Sequence, residues 1–321
     1  MTFLLRLFGI VCAVVAISAT NVRAQTTEVR VAMLAPSSLL WLHAIAKNQG
    51  FYAERHIKVE ELRAGSSPAL LQAVSSGSVD AGISLGDLVI RAVDKGAQIV
   101  IAGAILDKTP MRMIGARDVT KVSDLRGATV TAGAVKGGTA NLMRYEFKTN
   151  GVDPSSVKMV AITNSRDRLV ALRNGQVKGA LLIAPFDTQA VRDKMHVLYV
   201  YKKPFLQTPL IFNKAWAAKH KKAAVALTKA LQQAANWIYK PANKQKAIAI
   251  LASYTKIPAD ICADSYKFLV EEQKAFAKNL EVPADSLKNI IDISKAVGGT
   301  PASSKPFELA RYYDPSFLAA K

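Results

Sequence analysis

Two short stretches of the chain bring chemically able residues close together. Gly82, Ser84 and Gly86 form a G-x-S-x-G pattern between an apolar segment and a helical one, the setting of a nucleophile elbow. Such a serine needs an acid and a histidine later in the chain. The later histidines are His196, at a strand start, and His220, in a lysine-rich helix start. The competing reading is a tight turn that shows Ser84, Gly86 and backbone N–H groups to a ligand. Asp87 then accepts from a ligand hydroxyl or amine, or simply opens its helix. The second stretch is Lys136, Gly137, Gly138 and Thr139, just before a helical segment. Free N–H groups at a helix start favour anions, glycines let a ligand approach the backbone, and Lys136 adds charge. Ordinary capping by Thr139 is the alternative. The stretch lacks the G-x-x-x-x-G-K-[ST] spacing of a nucleotide-phosphate loop.

Two more loops follow apolar runs. Ser37, Ser38 and Trp41 follow the first; either serine can cap a helix, and the functional alternative is a hydroxyl-and-aromatic pocket wall. Ser66 and Ser67 follow the second, with Ser67 expected to cap and Ser66 to face a ligand. Pro185 and Phe186 stand in the matching loop of the second half, where Phe186 would be an apolar wall. The four histidines, His43, His56, His196 and His220, are dispersed, and no Cys-x-x-Cys occurs. No metal, cofactor or catalytic residue is expected.

These residues need elements to hold them. Short apolar runs alternate with helical stretches, from Val29–Leu34 through Ile99–Ile105 and again from Ala128 to Tyr201. That rhythm predicts an α/β protein with mostly parallel sheets and helices on both faces. From Ala215 the chain reads as largely helical, interrupted near Pro258 and Pro283. An internal echo divides it: Ala73, Gly77 and Val79 match Ala171, Gly175 and Val177 as A-x-x-x-G-x-V. In each copy the glycine is expected to end a helix in the left-handed conformation, and the valine to lead into a buried strand. Two similar lobes follow, with ligand loops beyond the carboxyl ends of their strands.

Composition sets the context. Arg6 and a short apolar run to Ile17 precede a small polar segment ending at Ala24. This is the layout of a cleaved export signal over residues 1–24, too short to span a bilayer comfortably. Its removal leaves Cys262 alone, so a core rather than a disulfide must hold the fold. The net charge is +19. In an exported chain with dispersed lysines this reads as solvated helix faces, not nucleic-acid binding.

At this point the sequence resembles the substrate-binding components of ABC importers of the nitrate/sulfonate/taurine type, including relatives similar to thiamine-pyrimidine precursor proteins. The stretches that carry the resemblance are Ala46–Tyr52, Leu71–Ile83, Ser123–Gly127, Lys136–Thr139 and Ala171–Val177. It implies a type II periplasmic binding fold: two lobes with mixed sheets and a hinge of two crossing segments, near Met111–Gly115 and Gln207–Phe212. Lobe 1 would be residues 25–115 and 207–321, and lobe 2 residues 116–206. It further implies a periplasmic, monomeric receptor that hands a small solute to a permease. The chain departs from many relatives at Ala184, where they carry an acid, and at Lys178, where they carry aspartate. Loss of the acceptor at position 184 argues against a cationic ligand. The expectation is a small organic anion, sulfonate or carboxylate-like, held by Ser37, Ser38, Ser66, Lys136 and the Gly137–Thr139 helix start. A pyrimidine-like heterocycle is the alternative ligand, a secreted hydrolase using Ser84 the alternative class, and a cytosolic biosynthetic enzyme of this fold a third possibility.

Overall fold

The computed structural model describes residues 26–299 and 306–319; the expected export signal lies outside the described residues. In chain order the elements begin β1 (Thr27–Met33), α1 (Trp41–Asn48), β2 (Ile57–Arg63), α2 (Ser67–Ser76), β3 (Ala81–Ile83), α3 (Gly86–Asp94) and β4 (Ile99–Leu106). They continue β5 (Met111–Gly115), β6 (Thr129–Thr131), α4 (Gly138–Thr149), β7 (Lys158–Val160), α5 (Ser165–Arg173), β8 (Gly179–Ile183), α6 (Phe186–Arg192) and β9 (His196–Val200). The last are β10 (Thr208–Asn213), α7 (Lys214–Lys219), α8 (Lys221–Ile238), α9 (Lys244–Thr255), α10 (Ala259–Tyr266), α11 (Ala284–Ala296) and α12 (Ser316–Ala319).

The strands form two five-stranded sheets, ordered β2-β1-β3-β10-β4 and β7-β6-β8-β5-β9. In each sheet three neighbouring strands run parallel and one pairs antiparallel with its neighbours, β10 in the first and β5 in the second. The α/β fold with two mixed sheets is therefore as expected. The central strands β3 and β8 are buried throughout, which fits their continuous apolar sequences.

The hinge placement needs correction. Met111–Gly115 is not a crossing segment but the strand β5, paired to β8 on one side and β9 on the other. Its residues are apolar at most positions, so it buries as a strand. Likewise most of the expected second crossing, Gln207–Phe212, is β10 between β3 and β4. The chain passes between sheets at residues 107–110 and 201–207.

The internal echo holds at the level of hydrogen bonds. Gly77 and Gly175 both have positive φ, +79° and +71°. Gly77 N–H donates to Val74 O and Gly175 N–H to Leu172 O, each at 3.2 Å, while Val79 and Val177 both reach back to the alanine of their motif. The same seven-residue pattern thus builds the same helix-to-strand corner in each lobe.

The C-terminal helices pack on the first sheet. α8 buries Ala224, Leu227, Leu231, Ala235 and Ile238 on one stripe, the spacing of an amphipathic helix. Lys222 on the same helix is exposed. Pro258 and Pro283 stand at the N-caps of α10 and α11, where a proline starts a helix without breaking one. No helix among the described residues is long and apolar enough to cross a membrane.

Candidate functional site

Each sheet has a place where successive connections leave in opposite directions: between β1 and β3 in the first, and between β6 and β8 in the second. Crevices at the carboxyl ends of strands open at such points. The loops that begin there are those holding Ser37, Ser38, Ser84, Lys136, Ala184 and Pro185. They meet across the two lobes. Ser38 N–H donates to Ala184 O at 3.1 Å. Gly138 N–H donates to Asp87 Oδ2 at 2.6 Å, in a buried contact.

Asp87 and Arg91 form the centre of this junction. They lie one turn apart on α3 and pair at 2.9 Å. Arg91 Nη1 also donates to Lys136 O, again at 2.9 Å, so one guanidinium binds both lobes. Burial pushes the Asp87 carboxyl above its ordinary range, against the opposing pull of Arg91 and the Gly138 N–H. A cavity of about 10 Å³ remains beside them, lined by Asp87, Arg91, Gly138, Asn141 and Phe205 among others. That is room for about one water. Further contacts join the flanks. Lys148 Nζ donates to Ala296 O at 3.0 Å. On the opposite side Arg166 Nη2 reaches Thr255 O at 3.3 Å, and Arg192 pairs with Asp260 and Asp264. The lobes are closed on one another.

The residues expected to contact a ligand separate into groups. Ser38, Ser84, Asp87, Gly138, Pro185 and Phe186 are buried at or next to the junction. Lys136 is there too, but through its carbonyl; its ammonium is exposed and has no partner among the described residues. The N-cap of α4 is Gly137, with no capping side chain, and Thr139 Oγ1 instead donates to Ala132 O. Ser37 caps a short 3₁₀ turn by accepting from Leu39 N–H. Ser66, not Ser67, caps α2, accepting from Ala69 N–H at 3.3 Å.

Trp41 is the clearest correction. It is fully buried, donates from Nε1 to Ala247 O at 3.0 Å, and meets Tyr266 and Phe276 edge-on. It ties α1 to the C-terminal helices and does not line the cleft. Its size and apolar surface favour that place, once the indole N–H finds a carbonyl.

The G-x-S-x-G pattern has a packing explanation. A Cβ on Gly82 would stand 2.9 Å from Leu70 and Val74 side chains, and one on Gly86 would stand 2.0 Å from Leu206 O. Gly86 is required by its approach to backbone, while a side chain at Gly82 would force its apolar neighbours to shift. Ser84 Oγ is buried without a hydrogen-bond partner among the described residues, so no histidine activates it here. His196 Nε2 meets Arg117 O, and His220 stacks on Trp216.

Other buried polar atoms without partners among the described residues include Ser38 Oγ, Thr131 Oγ1, Thr208 Oγ1 and Arg168 Nε. Thr131 and Arg168 were not singled out by sequence. Arg168 is 3% exposed, and burial pulls its pKa down to about 10.

Residues 23–252 match the model of the NMT1-like family. This chain belongs to that family. The sequence is also similar to the nitrate/nitrite binding protein NrtA of Synechococcus elongatus, 28% identical over 121 residues. That stretch is 36% of this chain and only 27% of the relative. Among solved structures, the fold is similar to the alkanesulfonate-binding protein SsuA from Xanthomonas axonopodis pv. citri bound to MOPS, with a TM-score of 0.71 at 17% identity, covering 87% of this chain and 96% of that one. It is also similar to the periplasmic nitrate-binding protein NrtA from Synechocystis PCC 6803, with a TM-score of 0.74 at 18% identity, covering 87% and 83%. The NMT1-like chain thus has the two-lobed fold of periplasmic binding proteins, and the resemblance drawn from its motifs is borne out.

Proposed function

We propose that this NMT1-like protein is a non-catalytic receptor that captures a small organic anion, sulfonate or carboxylate-like, between its two lobes. It acts as an exported monomer and delivers the solute to the permease of an ABC importer. The observation that carries the anion class is the contact between Gly138 and Asp87. The start of α4 holds a carboxylate oxygen at 2.6 Å in a buried place, so its N–H groups already act as an anion seat. When the lobes part, Asp87 leaves with α3 and stays paired to Arg91 on its own helix. The seat on α4 then faces the open cleft, with Lys136 beside it. A solute carboxylate or sulfonate takes the position that Asp87 takes in the closed arrangement, and closure over it is a population shift driven by that contact. The similarity to nitrate- and alkanesulfonate-binding proteins supports the same class.

The test separates capture from catalysis. A serine-directed phosphonate is incubated with the protein, and Ser84 is examined by peptide mass spectrometry. No labelling is expected; stoichiometric labelling of Ser84 would contradict the receptor reading.

A further inference from the structure

We propose that the crevice between β6 and β8 is the charge-reading subsite of the cleft, where the Arg168 guanidinium and the Thr131 hydroxyl recognise the negative head group of the solute. This rests on the capture reading above and names the residues that set its charge preference.

The geometry begins with unequal strand lengths. β6 ends at Thr131, which stands opposite Ala180 of β8. β8 continues to Ile183, so its last residues have no strand beside them on that edge. The N-terminal turn of α5 supplies what is missing. Arg168 Nη1 donates to Leu181 O at 2.6 Å, and Ile183 N–H donates to Ser165 Oγ at 3.2 Å. Ser165 Oγ also accepts from Arg168 Nη2 at 3.1 Å. The guanidinium is thereby fixed at the carboxyl end of β8, one residue beyond the Thr131 pairing, at the switch point of the second sheet.

Two atoms there are left over. Arg168 Nε and Thr131 Oγ1 are both buried and both without partners among the described residues. The charge is also uncompensated among the described residues. Arg91 faces Asp87 and Arg112 faces Asp187, whereas the acceptors of Arg168 are one carbonyl and one hydroxyl. A buried cation without an anion costs several kcal/mol. The structure holds a fixed fork of donors at this edge. Such a fork matches a carboxylate or sulfonate.

The experiment is a set of calorimetric titrations with matched probes: ethanesulfonate against ethanesulfonamide, and propionate against propionamide. Wild type is expected to prefer each anion over its amide by roughly 10- to 100-fold, the range for a hydrogen bond to a charged group. Arg168→Met is expected to lose most of that preference, keeping what the start of α4 supplies, and Arg168→Lys to recover part of the loss. Arg168→Gln, which keeps a donor for Leu181 O, replaces the methionine variant if far-UV circular dichroism shows that one unfolded. A preference undiminished by loss of the charge overturns the subsite and leaves solute capture intact. Loss of the amides along with the anions makes Arg168 a support of the fold and also overturns the subsite. A wild type with no anion preference overturns the subsite and the anion class together.

Discussion

The carboxylate of Asp87 on one lobe accepts from the backbone N–H of Gly138 on the other, and nothing larger than hydrogen fits between them. A Cβ on Gly138 would stand 2.1 Å from Asp87 Cγ. The contact therefore fixes how near α3 and α4 can come.

Two substitutions probe it in opposite ways. Gly138→Ala is expected to hold the lobes apart, seen as a larger radius of gyration in solution scattering. Asp87→Ala removes an internal competitor for the seat on α4 and leaves Arg91 unpaired beside it. Anion affinity, read by calorimetry, is expected to rise severalfold, because a binding-competent state masked by a competing one binds in proportion to its population. Weaker anion binding in Asp87→Ala would contradict the seat.

Glu146 gives a pH dependence. It is 1% exposed, its Oε2 has no partner, and burial raises its pKa well above the ordinary 4.5. With the folded value above the unfolded one, its contribution is fully present below about pH 4.5 and is lost as pH rises toward the folded value. The loss is about 1.4 kcal/mol per pH unit in that window. Glu146→Gln removes this slope. Urea unfolding at pH 5 and pH 8 is expected to show the variant gaining on wild type at the higher pH. Parallel changes in both proteins would contradict a neutral buried acid.

Trp41 separates the core from the cleft. Trp41→Ala is expected to cost about 3–5 kcal/mol by denaturant unfolding, the range for a large buried aromatic. Anion affinity of the folded fraction is expected to stay within about twofold of wild type. A selective loss of affinity with little loss of stability would return Trp41 to the pocket wall.

The two corners of the echo should behave alike. Gly77→Ala and Gly175→Ala each place a Cβ at positive φ, with no crowding heavy atom nearer than 3.7 Å. Each is expected to cost about 1–2 kcal/mol. A large difference between them would mean that the shared hydrogen bonds are not what holds the corners.

What was legible in the sequence was local. The A-x-x-x-G-x-V corners could be read because a left-handed glycine and a following buried strand are properties of neighbouring residues. The helix start at Gly138 was legible for the same reason. The cap of α2 was misplaced by one residue, since Ser66 and Ser67 are equally able to accept from the first turn. Met111–Gly115, a crossing segment by the resemblance alone, is a strand whose insertion between distant antiparallel partners leaves no mark in the chain order. The places of Trp41 and Arg168 are hidden from the sequence for one reason: which face of a helix is covered depends on what packs there. Trp41 follows a cleft loop but turns toward α9 and α10. Arg168 lies in the charged run of α5, yet it turns inward to complete the edge of β8.

The most direct measurement of solute capture is a thermal-shift titration of ligand-stripped protein against sulfonates, carboxylates and pyrimidines. At 100 times its dissociation constant a bound solute stabilises by about 2.7 kcal/mol. The expected result is a raised midpoint with at least one sulfonate or carboxylate and none with pyrimidines. A shift with a pyrimidine and with no anion would contradict the anion class.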